Sequence, residues 1–184
     1  MIVTRRLRLR PWRQADKAPF AAATNTPAVT RHLGGVLEPA AMDAVVDGQM
    51  TLQAEQGMCF WAVETRADER LIGMCGLRYA GLRGTALVDE LEIGWRLAEA
   101  EWGKGYAREA AAASIAWGWE NTPRDRIASW TIPANTASWG LMIRLGMTHR
   151  PDLDFEHPRF HVGHPLSQHV VYVIERPAAP TSGL

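Results

Sequence analysis

The segment EWGKGYAREA, residues 101–110, places two glycines around a lysine, just ahead of an alanine-rich run. A helix start leaves about four N–H groups unpaired, at the positive end of the helix dipole. Gly103, Lys104 and Gly105 can therefore hold an anion, a phosphate above all, on bare backbone, with Lys104 adding charge at the rim. A tight turn with a close helix contact is the competing reading. The spacing is neither that of a Walker loop nor the three-glycine pattern of dinucleotide sites. Upstream, Glu90 and Glu92 alternate within an apolar stretch, so strand pleating would set both on one face. Two nearby carboxylates raise each other's proton affinity, which suits a base working near neutral pH. They can equally be solvated strand charges, or pair with Arg96. The histidines are also concentrated: His149, His157, His161, His164 and His169 fall in one region. A metal site would need them to converge, but no cysteine joins them, and Pro158 and Pro165 prevent helical pairing. No metal is expected. These residues are expected to wall a pocket, where His157 or His164 can assist proton removal.

The elements that must position these groups alternate between strand and helix. RLRLRPW (6–12) has the period-two pattern of a half-buried strand. Residues 14–25 and 39–55 read as helices, with Gly34 and Gly35 between them. MCFWAVE (58–64) and LIGMCGLRYA (71–80) read as a hairpin turning at 67–70. ALVDELEIGWRL (86–97) is the longest strand candidate, followed by a helix over 104–120 that stops at Asn121 and Pro123. RIASWTI (126–132) is a strand, TASWGLMIRLG (136–146) a helix ending at Gly146, and HVVYVIER (169–176) the last strand. Residues 1–176 read as a single domain and 177–184 as a frayed tail. The pattern predicts an α/β (α+β mixed) fold, a mixed sheet with helices on both faces.

Composition narrows the class. The chain has 184 residues, 47% of them hydrophobic, enough for one sizeable core. Twenty basic and twenty acidic side chains balance, which gives no electrostatic case for nucleic acid or a membrane surface as partner. No apolar run reaches the ~18 residues of a membrane span, and MIVTRRLRLR lacks the apolar stretch of a signal peptide. Cys59 and Cys75 sit in apolar segments and are expected as free buried thiols in a reduced cytoplasm.

The stretch ELEIGWRLAEAEWGKGYAREA (90–110) resembles the acyl-CoA-binding core of the GCN-related N-acetyltransferases (GNAT). There a strand ends in a Gln/Arg-x-x-Gly-x-Gly/Ala loop that opens a helix; Trp102, Gly103, Lys104, Gly105, Tyr106 and Ala107 occupy those positions. Trp102 departs from the consensus in a way familiar in the branch of the ribosomal-protein alanine N-acetyltransferases (RimJ/RimL-like), and Glu99 stands where a proline is usual. TRRLRLRPWRQAD (4–16), NTASWGLMIRLGM (135–147), DFEHPRF and HPLSQHVVYVIER (154–176) resemble further parts of that branch, so the likeness covers nearly the whole chain.

The resemblance implies a twisted six- to seven-stranded sheet whose central strands, 86–97 and 126–132, splay apart. A bulge in the first would free the backbone of Trp95, Arg96 and Leu97 to pair with the pantetheine arm, and an N–H near Trp95 would face the oxyanion. It also implies transfer of an acetyl group from acetyl-CoA, as co-substrate, to a primary amine, by direct attack in a ternary complex. Glu92 is the first choice of base and Glu90 the alternate. Many members use a tyrosine acid at the position of Met142, which cannot donate a proton; Ser138 can bond the sulfur instead, and Asn135 the pantetheine amide. Plain helix capping is the rival for both. Met142 and Trp139 are core or cofactor wall. Other classes compatible with these residues are a non-catalytic acyl-CoA sensor and transfer of another acyl group such as succinyl. Acceptor candidates are a protein N-terminus, a lysine, a polyamine, an aminoglycoside or an amino-acid-like toxin. His32, Trp61 and the 154–165 loop are placed on the acceptor side, and a homodimer through the last strand is plausible.

Overall fold

The alternation in RLRLR is realised directly. In the computed structural model, which describes residues 1–178, Leu7 and Leu9 are fully enclosed while Arg8 is half-buried. The strands are β1 (Ile2–Val3), β2 (Leu7–Arg10), β3 (Phe60–Thr65), β4 (Leu71–Tyr79), β5 (Leu91–Leu97), β6 (Arg126–Thr131), β7 (Thr148–His149), β8 (Phe155–Glu156) and β9 (Gln168–Glu175). The helices are α1 (Lys17–Thr24), α2 (Pro27–Thr30), α3 (Pro39–Gln56), α4 (Tyr106–Asn121) and α5 (Thr136–Arg144). The sheet runs β1-β2-β3-β4-β5-β6-β9-β7, with β8 added beside β9. Six strands form its body; β1, β7 and β8 are two-residue additions that the sequence pattern is too short to reveal.

Every neighbouring pair is antiparallel except β5 and β6, which are parallel and meet at the single register pair Glu92↔Ala128. The central strands therefore splay, as the resemblance implies. The expected bulge in β5 is absent: its pairing with β4 is regular from Leu91↔Tyr79 to Leu97↔Gly73. Its outer edge is free because β6 diverges, not because β5 is irregular. The strand also begins later than expected. Residues 86–90 form a turn in which Leu87 is fully buried and Asp89 has φ 58°, a left-handed conformation that ends strand geometry. Leu87 of that turn packs into a second small cluster with Leu82, Ala128, Val171 and Val173, which explains why it mimics a strand residue.

The two sheet faces are covered by different helices. On one, Cys75, Leu77, Leu91 and Ile127 meet α4, whose Ala110 and Ala111 are fully buried. Its small residues bring α4 close: a Cβ on Gly118 would sit 2.7 Å from Leu77 Cδ1. This close seat fixes the start of α4 beside the end of β5. On the opposite face Met74, Gly76, Arg78, Glu92, Gly94 and Arg96 alternate with the first set. Phe20 of α1 lies on that side and is fully enclosed. Of the tail expected to fray, residues 179–184 lie outside the described residues.

Candidate active site

The glycine turn between β5 and α4 is held by a brace. A short 3-10 turn, Glu99–Glu101, leads into it, and Gly103 (φ 74°) and Gly105 (φ 79°) adopt left-handed backbone that other residues rarely take. Gly105 is the N-cap of α4, so the N–H groups of Tyr106, Ala107 and Arg108 have no helical partner. Arg6 donates through Nη1 to the Lys104 carbonyl (2.9 Å) and lies 4.5 Å over the Tyr106 ring. Glu109 fixes Arg6 in turn, accepting from its Nε (2.6 Å) and its backbone N–H (2.8 Å), and from the Thr4 hydroxyl (2.6 Å). The Lys104 ammonium does not reach out at the rim; it pairs with Glu101 (3.0 Å). A concavity of about 510 Å³ beside the turn is lined by Arg5, Arg6, Thr65, Arg66, Ala67, Asp68, Arg70 and Tyr106, four arginines against one aspartate, although Arg70 is already paired with Asp68 and Glu101. Trp102 is 46% exposed, and its indole N–H donates to the Leu97 carbonyl (2.9 Å), covering the end of β5. The edges of Trp95 and Arg96 lie beyond the last contact with β6.

Glu92 sits where β5 and β6 meet. It is 7% exposed, and its Oε2 accepts from Arg78 Nε at 2.7 Å, across the register pair Arg78↔Glu92. Burial pushes its carboxyl above the ordinary carboxylate range; Arg78 pulls back without cancelling it. The cause is thus desolvation and not the second carboxylate. Glu90 precedes the strand, is also buried, and pairs with its own arginine, Arg126 (2.7 Å). Neither acid is a solvated charge and neither pairs with Arg96. Sequence reasoning missed Arg78 and Arg126 as partners. The signal was an arginine inside the apolar run LIGMCGLRYA, which needs an anion across the hairpin once buried.

Across the splay, Asn135 occupies the N-cap of α5, yet its side chain does not cap the helix; Nδ2 donates to Thr131 Oγ1 (2.9 Å). Ser138 is half-buried in the first turn of α5. Met142 is fully enclosed in the main core, so it packs instead of lining an open wall. Trp61 likewise leaves the acceptor side: its ring packs edge-on to Trp117 (5.0 Å) and its N–H donates to Gln53. His32 is half-buried after α2.

The histidines form an aromatic stack and not a ligand set. His169 stacks on Phe155 (5.3 Å) and meets His157 (5.1 Å), while His164 stacks on Phe160 (4.8 Å) and His149 bonds Asp154 (3.1 Å). Among the described residues no three His, Cys, Asp or Glu side chains converge to hold a metal ion. Phe155 also packs on Trp130 of β6. Burial holds the His157 imidazole below its ordinary value, with the neighbouring charges of His169, Arg159 and Arg78 adding to the shift. His169 is lowered by burial as well. Among the described residues, no helix is long and apolar enough to cross a membrane.

The sheet thus splays at one junction, a glycine turn opens α4 beside it, and a buried carboxylate stands at the junction. Residues 6–148 match the acetyltransferase (GNAT) domain model, and the chain belongs to that family. It is 28% identical over 147 residues to the Bacillus subtilis (strain 168) protein YkkB, covering 79% of this chain and 84% of that one. Its fold is similar to that of an Agrobacterium tumefaciens acetyltransferase (25% identity, TM-score 0.76, 95% and 94% of the two chains). It is equally similar in fold to RimL, a ribosomal L7/L12 alpha-N-protein acetyltransferase solved with coenzyme A disulfide-linked to a cysteine (14% identity, TM-score 0.75, 95% and 96%).

Proposed function

We propose that this chain moves an acetyl group from acetyl-CoA to a primary amine by direct attack in a ternary complex. The observation that carries the reading is Glu92: a buried carboxylate with raised proton affinity, at the one point where β5 and β6 touch. An amine attacks only when neutral, and Glu92, directly or through one water, takes the proton from the ammonium. The free edge of β5 at Trp95, Arg96 and Leu97 pairs with the pantetheine arm like an added strand, Trp102 shifting off the Leu97 carbonyl. An N–H near Trp95 faces the oxygen on which negative charge develops. Asn135 bonds the pantetheine amide with its free Oδ1, and Ser138 supports the departing sulfur. The unpaired N–H groups from Gly103 to Ala107 receive the pyrophosphate, with the arginines beside the turn supplying positive charge. Glu90, tied to Arg126, is the alternate base. The acceptor is a primary amine; a protein N-terminus is the macromolecular candidate suggested by the RimL-like fold.

Calorimetric titration with coenzyme A tests the turn. The native protein is expected to bind. Gly105→Val forces a β-branched residue into left-handed backbone, a strain of about 1–3 kcal/mol, and is expected to weaken binding about tenfold to a hundredfold in a folded chain. Unchanged affinity in the variant, or no heat with the native protein at millimolar ligand, overturns the assignment. Binding without thiol release across an amine panel favours an acyl-CoA sensor instead.

A further inference from the structure

The face of β5 that carries Glu92 continues through Gly94 to Arg96. Arg96 is anomalous. Its Nε and Nη1 are buried and, among the described residues, have no hydrogen-bond partner. Other arginines on the sheet have anions: the buried Arg10 holds Asp16 and Glu64, and the half-buried Arg78 holds Glu92. Arg96 has only the ring of Phe20, 5.8 Å away. An enclosed guanidinium without a counter-ion is unfavourable, and burial lowers its pKa from the usual value, although arginine stays protonated. Arg96 as a whole is only half-buried, so an anion can reach the guanidinium from its exposed part.

What surrounds it relates Arg96 to the catalytic carboxylate. A Cβ on Gly94 would lie 2.7 Å from the Phe60 ring, so Phe60 lies over Gly94, between Glu92 and Arg96. The same ring carries the Arg78 guanidinium at 4.7 Å. Strand geometry separates the Cα atoms of Glu92 and Arg96 by roughly 13 Å, and both side chains are long. A base at one end, an aromatic floor and a vacant cation at the other match a substrate with an amine or thioester at one end and an anion at the other.

Resting on the acetyltransferase reading for the position of the reacting groups, we infer that Arg96 binds a carboxylate carried by one of the two substrates. That carboxylate belongs either to the acceptor, an amino-acid-like amine, or to the far end of a dicarboxylic acyl group on coenzyme A. The chemistry of capture is the same: a planar fork of N–H donors meeting a carboxylate, a charge-assisted contact stronger than a neutral one.

Matched probes separate the sources. Succinyl-CoA is compared with acetyl-CoA, and ω-amino acids from 4-aminobutyrate to 8-aminooctanoate with their amides, by calorimetry and by kcat/KM. In one of the two comparisons Arg96→Met is expected to weaken the carboxylate-bearing probe at least tenfold more than its uncharged counterpart. The pair that responds names the source. Glutarate alone, read by thermal shift, keeps this inference separable from the transferase reading: it is expected to stabilise the native protein but not Arg96→Met, whether or not coenzyme A binds. Arg96→Lys, which keeps charge but loses the fork, is expected to recover only part of the preference. Equal effects on both members of both pairs, with no glutarate stabilisation, overturn the proposal.

Discussion

Two clusters of buried charge stand on this sheet, and they are built differently. At the β2 edge, Arg10 grips Asp16 with two nitrogens (2.7 and 2.9 Å) and Glu64 with a third (2.9 Å), while Glu64 also accepts from Arg8 (2.6 Å) and Asp16 from the Arg13 N–H (2.8 Å). Burial alone would lift both carboxyls, but these bonds outweigh it and hold Asp16 and Glu64 below the carboxylate range. At the β5–β6 junction, Glu92 has one arginine and is held above that range, and Arg96 has no anion among the described residues. The closed cluster ties α1 to the sheet. On the reading proposed above, the open one leaves a base and a cation for groups that arrive from outside. Buried charges that satisfy one another serve the fold; those left short are the ones we propose for the site.

The largest test of this contrast is Glu92→Gln. It is expected to lower kcat by about 10²–10⁴ while retaining the heat of coenzyme A binding, as measured by thiol release and calorimetry. A variant with native turnover would place the base elsewhere, with Glu90 next.

In the closed cluster the expected loss is stability. Asp16→Asn leaves Arg10 buried with part of its charge uncompensated, for about 3–5 kcal/mol, read as a drop in Tm on the order of 10 °C. The pH signs differ as well. Asp16 and Glu64, lowered in the fold, stabilise it above their unfolded pKa values, and that contribution disappears as pH falls through their folded values. Glu92, raised in the fold, works the opposite way: its contribution is present at low pH and is lost as pH rises through its folded value. Asp16→Asn should therefore flatten the acid side of a stability–pH curve. An unaltered acid limb in chemical denaturation breaks the comparison.

The smallest effect concerns tuning. Arg78→Met removes the one cation that pulls the Glu92 carboxyl down, so the rising limb of kcat/KM against pH should move to higher pH, with a several-fold loss at neutrality that recovers at alkaline pH. A limb that stays in place would mean that Arg78 only positions Glu92.

Much of this was legible in the residues. RLRLR carries the strand period, LIGMCGLRYA and RIASWT read as strands and are strands, and the glycines at 103 and 105 marked a backbone requirement that the left-handed angles bear out. The start of β5 was not legible, because Leu87 is apolar for a reason other than strand burial. Pairing across the hairpin was also hidden. Nothing local in the chain says that Arg78 and Arg126, separated from Glu92 and Glu90 by a hairpin and by a helix, complete their ion pairs. Met142, read as core or cofactor wall, is core, and Trp61, placed on the acceptor side, packs on Trp117; a large apolar side chain looks alike in the sequence whether it lines a cavity or fills a core.

Cys59 and Cys75 are free and buried, and burial pushes each thiol up to about 12. Held as thiols and shielded, they are poor nucleophiles toward disulfides and dyes. The adduct seen in the RimL crystals, coenzyme A bonded to a protein sulfur, therefore has no ready attachment point among this chain's two cysteines. Folded protein should also remain colourless in Ellman-type reagents, so that any yellow developed during turnover is released product.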